Sequence, residues 1–167
     1  EFLMHSVTCT SPSKAFNLAG LQIANIISAD TNIRTKIDKA INVNEVCDVS
    51  PFGVEALIAA YNDSEEWLEE LKQYLFDNYN YLRAYFSEYL PEFPVSMLEG
   101  TYLVWVDCSV LNQSSDEIVK TLLEKEKLWV NEGSLYGEIG EGFIRINIAC
   151  PRQQLIEGLN RLRRALK

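Results

Sequence analysis

No glycine or proline interrupts the segment from Glu65 to Tyr89, and that absence constrains the fold more than any other feature. Trp67, Leu71, Tyr74, Leu75, Leu82, Tyr85, Phe86 and Tyr89 keep helical spacing up to Pro91. Asp63-Ser64 interrupts the preceding pattern, and Glu65-Glu66 supplies acids for a first turn, where the helix dipole favours them. At 1.5 Å per residue such a helix is about 39 Å long, enough to cross from one domain to another. The Pro91 to Pro94 stretch is the expected boundary inside the chain.

The two flanks read differently. Before the helix, Val7 to Thr10 and Gly20 to Ala29 read as strands. Asp30 can cap a helix whose apolar face is Ile33, Ile37 and Ile41, ended by Asn42-Val43-Asn44. Ser50-Pro51 marks another helix start, with a capping hydroxyl and a buried stripe of Val54, Leu57, Ile58 and Tyr61. After Pro94, short strands alternate with helices. Tyr102 to Val106, Leu128 to Val130 and Phe143 to Ile148 read as strands. Ser114 with Glu117 forms a capping box, and Pro151 opens a last helix with Leu155, Leu159, Leu162 and Leu166 inward. The expected class is α/β, with a small α+β sheet covered by helices at the C-terminal end.

Acidic residues outnumber basic ones, 24 to 15, for a net charge of −9. That balance argues against nucleic acid or an anionic membrane as partner, because both need a basic face. Arg161, Arg163, Arg164 and Lys167 read as a solvated helix end. Cys9, Cys47, Cys108 and Cys150 lack metal-site spacing and His5 is the sole histidine, so no metal is expected and the cysteines read as buried free thiols in a cytoplasmic protein. The glycine-rich run Gly133 to Gly142 lacks a lysine and a following helix and carries Glu138 and Glu141, so it reads as a turn and not a phosphate loop.

Two segments carry the chemistry. The first is Ser11-Pro12-Ser13-Lys14-Ala15-Phe16-Asn17-Leu18-Ala19-Gly20-Leu21. A deprotonated lysine amine can form a Schiff base with an aldehyde, and Phe16, Leu18 and Leu21 could supply the burial that lowers its pKa. The second is Gly142-Phe143-Ile144-Arg145-Ile146-Asn147-Ile148-Ala149-Cys150-Pro151-Arg152. Strand alternation sets Ile144, Ile146 and Ile148 on a core face and turns Arg145 away from it. There an arginine can grip a carboxylate with two parallel hydrogen bonds. Arg152, after the proline, reads as structural.

These segments resemble the lysine loop and the carboxylate-binding strand of fold-type I pyridoxal-phosphate enzymes, the class I/II aminotransferase superfamily. The resemblance implies Lys14 as the catalytic, cofactor-bearing lysine, with Ser11 ahead of Ser13 as phosphate donor and Arg145, Asn131 and Tyr102 binding substrate. It implies pyridoxal 5′-phosphate as cofactor and a homodimer as the assembly. The phosphate-binding arginine of many aminotransferases, eight positions after the lysine, is here Gln22. Ser-Lys-x-Phe-Asn-Leu-Ala-Gly-Leu-Gln, Glu-Gly-Thr-Tyr-Leu-x-Trp and Arg-x-Asn-x-Ala-Cys-Pro-Arg look most like the cystathionine β-lyase branch. That implies β-elimination at a C–S bond of an amino acid, with amino transfer to a 2-oxo acid as the alternative. A non-catalytic interaction module around residues 92–167 is a third reading.

In the family a whole cofactor-binding domain precedes the lysine. The chain therefore looks like a C-terminal piece of a transferase fold. The expected division is 1–63 as the end of the large domain, 64–90 as the interdomain helix and 91–167 as the small domain. The piece alone is expected to bind cofactor weakly or not at all and not to turn over.

Overall fold

The computed structural model describes residues 2–46 and 48–167, so Cys47 lies outside the described residues. The chain divides into two compact units, Glu1–Leu71 and Lys72–Lys167.

In the first unit, strands β1 (Thr8–Thr10) and β2 (Asn25–Ile27) pair antiparallel, Cys9 opposite Ile26. The apolar run expected as one strand splits. Its first part is a 3-10 turn, Ala19–Leu21, closed by Gln22 at φ 50, and only Asn25–Ile27 is extended. Helix α1 (Thr31–Val43) starts where Asp30 accepts from the backbone N–H of Asn32 and Ile33, as the sequence indicated. Helix α2 (Pro51–Asp63) also starts on cue, with one correction: Ser50 makes no side-chain cap hydrogen bond, and Pro51 alone marks the start. Its inward face is narrower than expected. Gly53 and Ala60 are buried, whereas Ile58 and Tyr61 are close to half exposed. Gly53 lies against the Leu21 carbonyl and the Ile23 side chain, where a larger residue would push the segments apart.

Helix α3 runs from Glu65 to Tyr89, as its uninterrupted pattern required. The unit boundary falls within it, and Tyr79, Leu82, Tyr85 and Phe86 are buried in the core of the second unit. Leu90 and Phe93 join the same core, while Pro91, Glu92 and Pro94 stay exposed. Beyond it stand β3 (Leu103–Asp107), α4 (Ser115–Glu126), β4 (Asn131–Glu132), β5 (Phe143–Asn147) and α5 (Arg152–Leu166). The sheet is antiparallel in the order β3-β5-β4. Leu128 to Val130, expected as a strand, is not one; pairing with β5 begins only at Asn131.

Strand alternation places Val104, Val106, Ile144 and Ile146 on one face, packed with Leu82 of α3, Ile118 and Leu122 of α4, and Leu155, Leu159 and Leu162 of α5. Each such side chain contributes about 1.5–3 kcal/mol when fully buried. The capping box of α4 is formed as read: Ser114 Oγ accepts from the Glu117 N–H and Glu117 from the Ser114 N–H. The basic end of α5 is partnered and not merely solvated. Arg164 meets Glu126 at 2.7 Å, Arg161 meets Glu157 at 2.8 Å, and the Arg163 guanidinium lies 4.7 Å from the centre of the Tyr89 ring. The exposed ion pairs add little stability individually.

The glycine-rich run is a turn, as expected, built from two 3-10 segments, Gly133–Tyr136 and Glu138–Gly140. Its closure is tight: a Cβ on Gly133 would overlap the Gly140 carbonyl oxygen, and one on Gly140 would overlap that of Gly133. Ser115, completely buried, ties the turn to α4, its hydroxyl accepting from the Gly142 N–H at 2.9 Å and donating to the Gly140 carbonyl at 3.4 Å. Glu141 accepts from the Ser115 N–H at 2.7 Å, so this carboxylate serves the start of α4. Gly133→Ala is expected to lower stability by about 1–3 kcal/mol or more, because backbone and not a yielding side chain would have to move. A denaturation midpoint equal to that of the parent chain would refute this.

Candidate functional site

Lys14 lies in the first unit, in a turn closed by hydrogen bonds from the Phe16 N–H to the Pro12 carbonyl and from the Leu18 N–H to that of Ser13. Phe16 anchors the turn: its ring stacks on Trp67 (centroids 6.1 Å, 23° between planes) and meets Tyr61 edge-on. The expectation that Phe16, Leu18 and Leu21 bury Lys14 is therefore corrected. Lys14 is exposed, since residues adjacent in sequence turn their apolar groups elsewhere. Among the described residues its amine makes no hydrogen bond or ion pair.

The two serines are arranged as a relay. Ser11 Oγ donates to the Ile23 carbonyl at 2.7 Å, which fixes Ser13 as the donor in the 2.6 Å contact between the hydroxyls. The Ser13 N–H also points at Ser11 Oγ, at 3.2 Å. Ser13 can thus redirect its proton to an anion by giving up one neighbour, whereas Ser11 would have to abandon a backbone carbonyl. Gln22 is exposed.

Arg145 lies in the second unit at the centre of β5, on the face opposite the core, as alternation required. The register aligns it with Trp105 of β3 on one side and Asn131 of β4 on the other. Asn131 and Arg145, both expected at a substrate site, are thereby brought together. Arg145 Nη2 donates to Asn131 Oδ1 in a long contact of 3.4 Å. The guanidinium lies over the Tyr136 ring, its carbon 4.1 Å from the ring centre. Its Nε is buried and has no hydrogen-bond partner. Among the described residues no carboxylate pairs with Arg145, so its charge is available to an anion from outside the chain.

Tyr102 is not brought to that face. It packs against the core on the side of Val104 and Val106, and its carbonyl accepts from the Ile148 N–H. Gly100 has open space where a side chain would be, so nothing described approaches its backbone closely. Sequence reading passed over Trp105 and Tyr136, whose rings meet edge-on at 5.3 Å. The signal available was weak: alternation in Val104-Trp105-Val106 turns Trp105 to the Arg145 face, but a turn tyrosine announces nothing.

Arg152 is structural, as read. It donates to Asn78 Oδ1 at 2.6 Å and sits over the Tyr81 ring. Among the cysteines, Cys9 is exposed, against the expectation of burial, while Cys108 is buried and Cys150 half-buried. Burial, aided by the Asp107 charge, pushes the Cys108 thiol up to about 12, so it is no nucleophile at neutral pH. Among the described residues no cluster could hold a metal ion, and no helix is long and apolar enough to cross a membrane.

The profile of aminotransferases of class I and II matches residues 3–162. The chain belongs to that family. It is 38% identical over 166 residues to cystathionine beta-lyase PatB of Bacillus subtilis, covering 99% of this chain and 43% of that protein. Aspartate aminotransferase of Pyrococcus horikoshii is 29% identical over 170 residues, covering 98% of this chain and 41% of that enzyme. A pyridoxal-phosphate-bound crystal structure from Clostridium difficile superimposes with a TM-score of 0.95 at 37% identity, over 99% of this chain and 43% of that one. The fold is thus that of the pyridoxal-phosphate-dependent transferases, and this chain spans less than half the length of the family members it matches.

Proposed function

We propose that the whole protein is a pyridoxal-phosphate-dependent enzyme acting on amino acids, by β-elimination at a C–S bond of cystathionine- or cysteine-type substrates. The 167-residue chain by itself is not expected to turn over. The observation that carries the reading is the Arg145 guanidinium, seated over Tyr136 with its charge unmatched by any described carboxylate. Identity to cystathionine beta-lyase PatB favours the lyase outcome over amino transfer.

The residues of the lysine turn fit the cofactor by their chemistry. Lys14 offers an uncommitted amine for the aldehyde, and Ser13 offers a hydroxyl that phosphate can recruit more readily than that of Ser11. The bound cofactor supplies an aldehyde that condenses with amines and a ring that accepts an electron pair. With the cofactor bound, Lys14 would be the base that takes the proton from the substrate α-carbon. Arg145 holds the substrate carboxylate, fixing which bond at that carbon is presented to the base. We place the protein in the cytoplasm as a homodimer, a reading that rests on family likeness.

The test is product analysis of the whole enzyme with L-cystathionine. Pyruvate, ammonia and thiol released together support elimination; conversion of a 2-oxo acid partner into an amino acid would instead identify an aminotransferase. Arg145→Gln is expected to lower kcat/KM about 100-fold, since a hydrogen bond to a charged group is worth roughly 1.5–3 kcal/mol. Unchanged kinetics would remove Arg145 from the substrate site.

A further inference from the structure

We infer that Tyr136 is a positioning residue for substrate binding: its ring fixes the plane of the Arg145 guanidinium and so determines which N–H groups face the incoming carboxylate. The inference rests on the proposed carboxylate role of Arg145 and adds the residue that makes that role geometric.

The register sets the stage. Asn131, Arg145 and Trp105 form one row across β4, β5 and β3, so their side chains share a face of the sheet. Tyr136 enters that row from the 3-10 turn Gly133–Tyr136, its ring edge-on to Trp105 and beneath the guanidinium at 4.1 Å. The turn itself is held by the close passage of Gly133 and Gly140, which leaves no room for side chains. The aromatic ring therefore sits on a fixed backbone.

Two restraints then act on one guanidinium, and one of its donors is left over. Asn131 Oδ1 takes one Nη2 proton. The Nε–H is buried and engaged by nothing. The Tyr136 face attracts the flat cation and disfavours its rotation away from the ring. Of the five N–H donors of an arginine, three remain on Nη1 and Nη2 without a partner among the described residues. These are the ones that can reach a carboxylate without moving the side chain. Tyr136 is 43% exposed and lies outside the buried core, so its ring is not there to stabilise the fold.

The test compares Tyr136→Phe, which keeps the ring, with Tyr136→Leu, which removes it. The first readout is the NMR signal of the Arg145 side-chain N–H groups in the whole enzyme labelled with nitrogen-15 arginine and located with Arg145→Gln. Stacking on Tyr136 displaces those proton signals by ring current. Tyr136→Phe should keep the displacement and Tyr136→Leu should abolish it. The second readout is steady-state elimination of L-cystathionine. Tyr136→Leu should raise KM about tenfold with kcat unchanged, the scale of a partly desolvated cation–ring contact, and Tyr136→Phe should restore it. Arg145 signals unmoved by Tyr136→Leu would overturn the inference, and so would lost displacement with an unaltered KM. If Arg145→Gln leaves KM unchanged while Tyr136→Leu still shifts the signals, the carboxylate reading of Arg145 fails and the stacking stands.

Discussion

Lys14→Ala is expected to abolish covalent retention of the cofactor and to slow pyruvate release by roughly 100- to 10,000-fold, the range for removing a positioned proton-transfer group. The amine has two tasks in the proposed reaction, attachment of the aldehyde carbon and removal of the substrate α-proton, and alanine can perform neither. Lys14→Arg separates charge from chemistry. It keeps a cation in the same exposed turn but offers a guanidinium that does not deprotonate, so it should be as inactive as alanine. Attachment has its own readout: borohydride reduction of the loaded parent enzyme, followed by proteolysis and mass spectrometry, should place the reduced cofactor on the peptide containing Lys14. A reduced cofactor carried on Lys36 or Lys39 instead, with activity surviving in Lys14→Ala, would end the assignment.

That experiment also bears on what the sequence could and could not convey. Geometry tied to local order was legible. The lysine turn, the capping box at Ser114 and the alternation that turns Arg145 from the core all depend on residues close together in the chain. Their spacing is their geometry. The environment of Lys14 was misread because burial depends on what arrives from elsewhere, and Phe16 gives its ring to Tyr61 and Trp67. The row Asn131–Arg145–Trp105 was only half legible, since strand alternation names a face but pairing register decides which residues are neighbours on it. Leu128 to Val130 shows the same limit: β-branched and apolar residues suit a strand, but the ladder to β5 starts one residue later. Tyr136 was hidden altogether, because its position depends on backbone contact between two glycines rather than on any pattern around it.

The residue least visible in the sequence is expected to matter most to stability. Asn78 looks like a solvated position in the middle of α3, yet it is completely buried. Its amide donates to the carbonyls of Ile148 at 2.8 Å and Cys150 at 3.1 Å, and its oxygen accepts from Arg152 Nε at 2.6 Å. One side chain thereby satisfies two backbone carbonyls between β5 and α5, and also orients Arg152 over the Tyr81 ring. Asn78→Leu keeps a similar branched shape in a somewhat larger side chain and strands two carbonyls and one guanidinium N–H. Each buried group left unsatisfied costs about 1–3 kcal/mol, so with three such groups a loss of about 3 kcal/mol or more is expected. Asn78→Asp should lie between leucine and the parent, because it keeps the acceptor for Arg152 while setting a carboxylate against two carbonyls. Denaturant unfolding measures both. A shift under about 1 kcal/mol for Asn78→Leu, with the denaturant slope preserved, would mean that the strand-to-helix junction finds other partners and that this network is not what holds it.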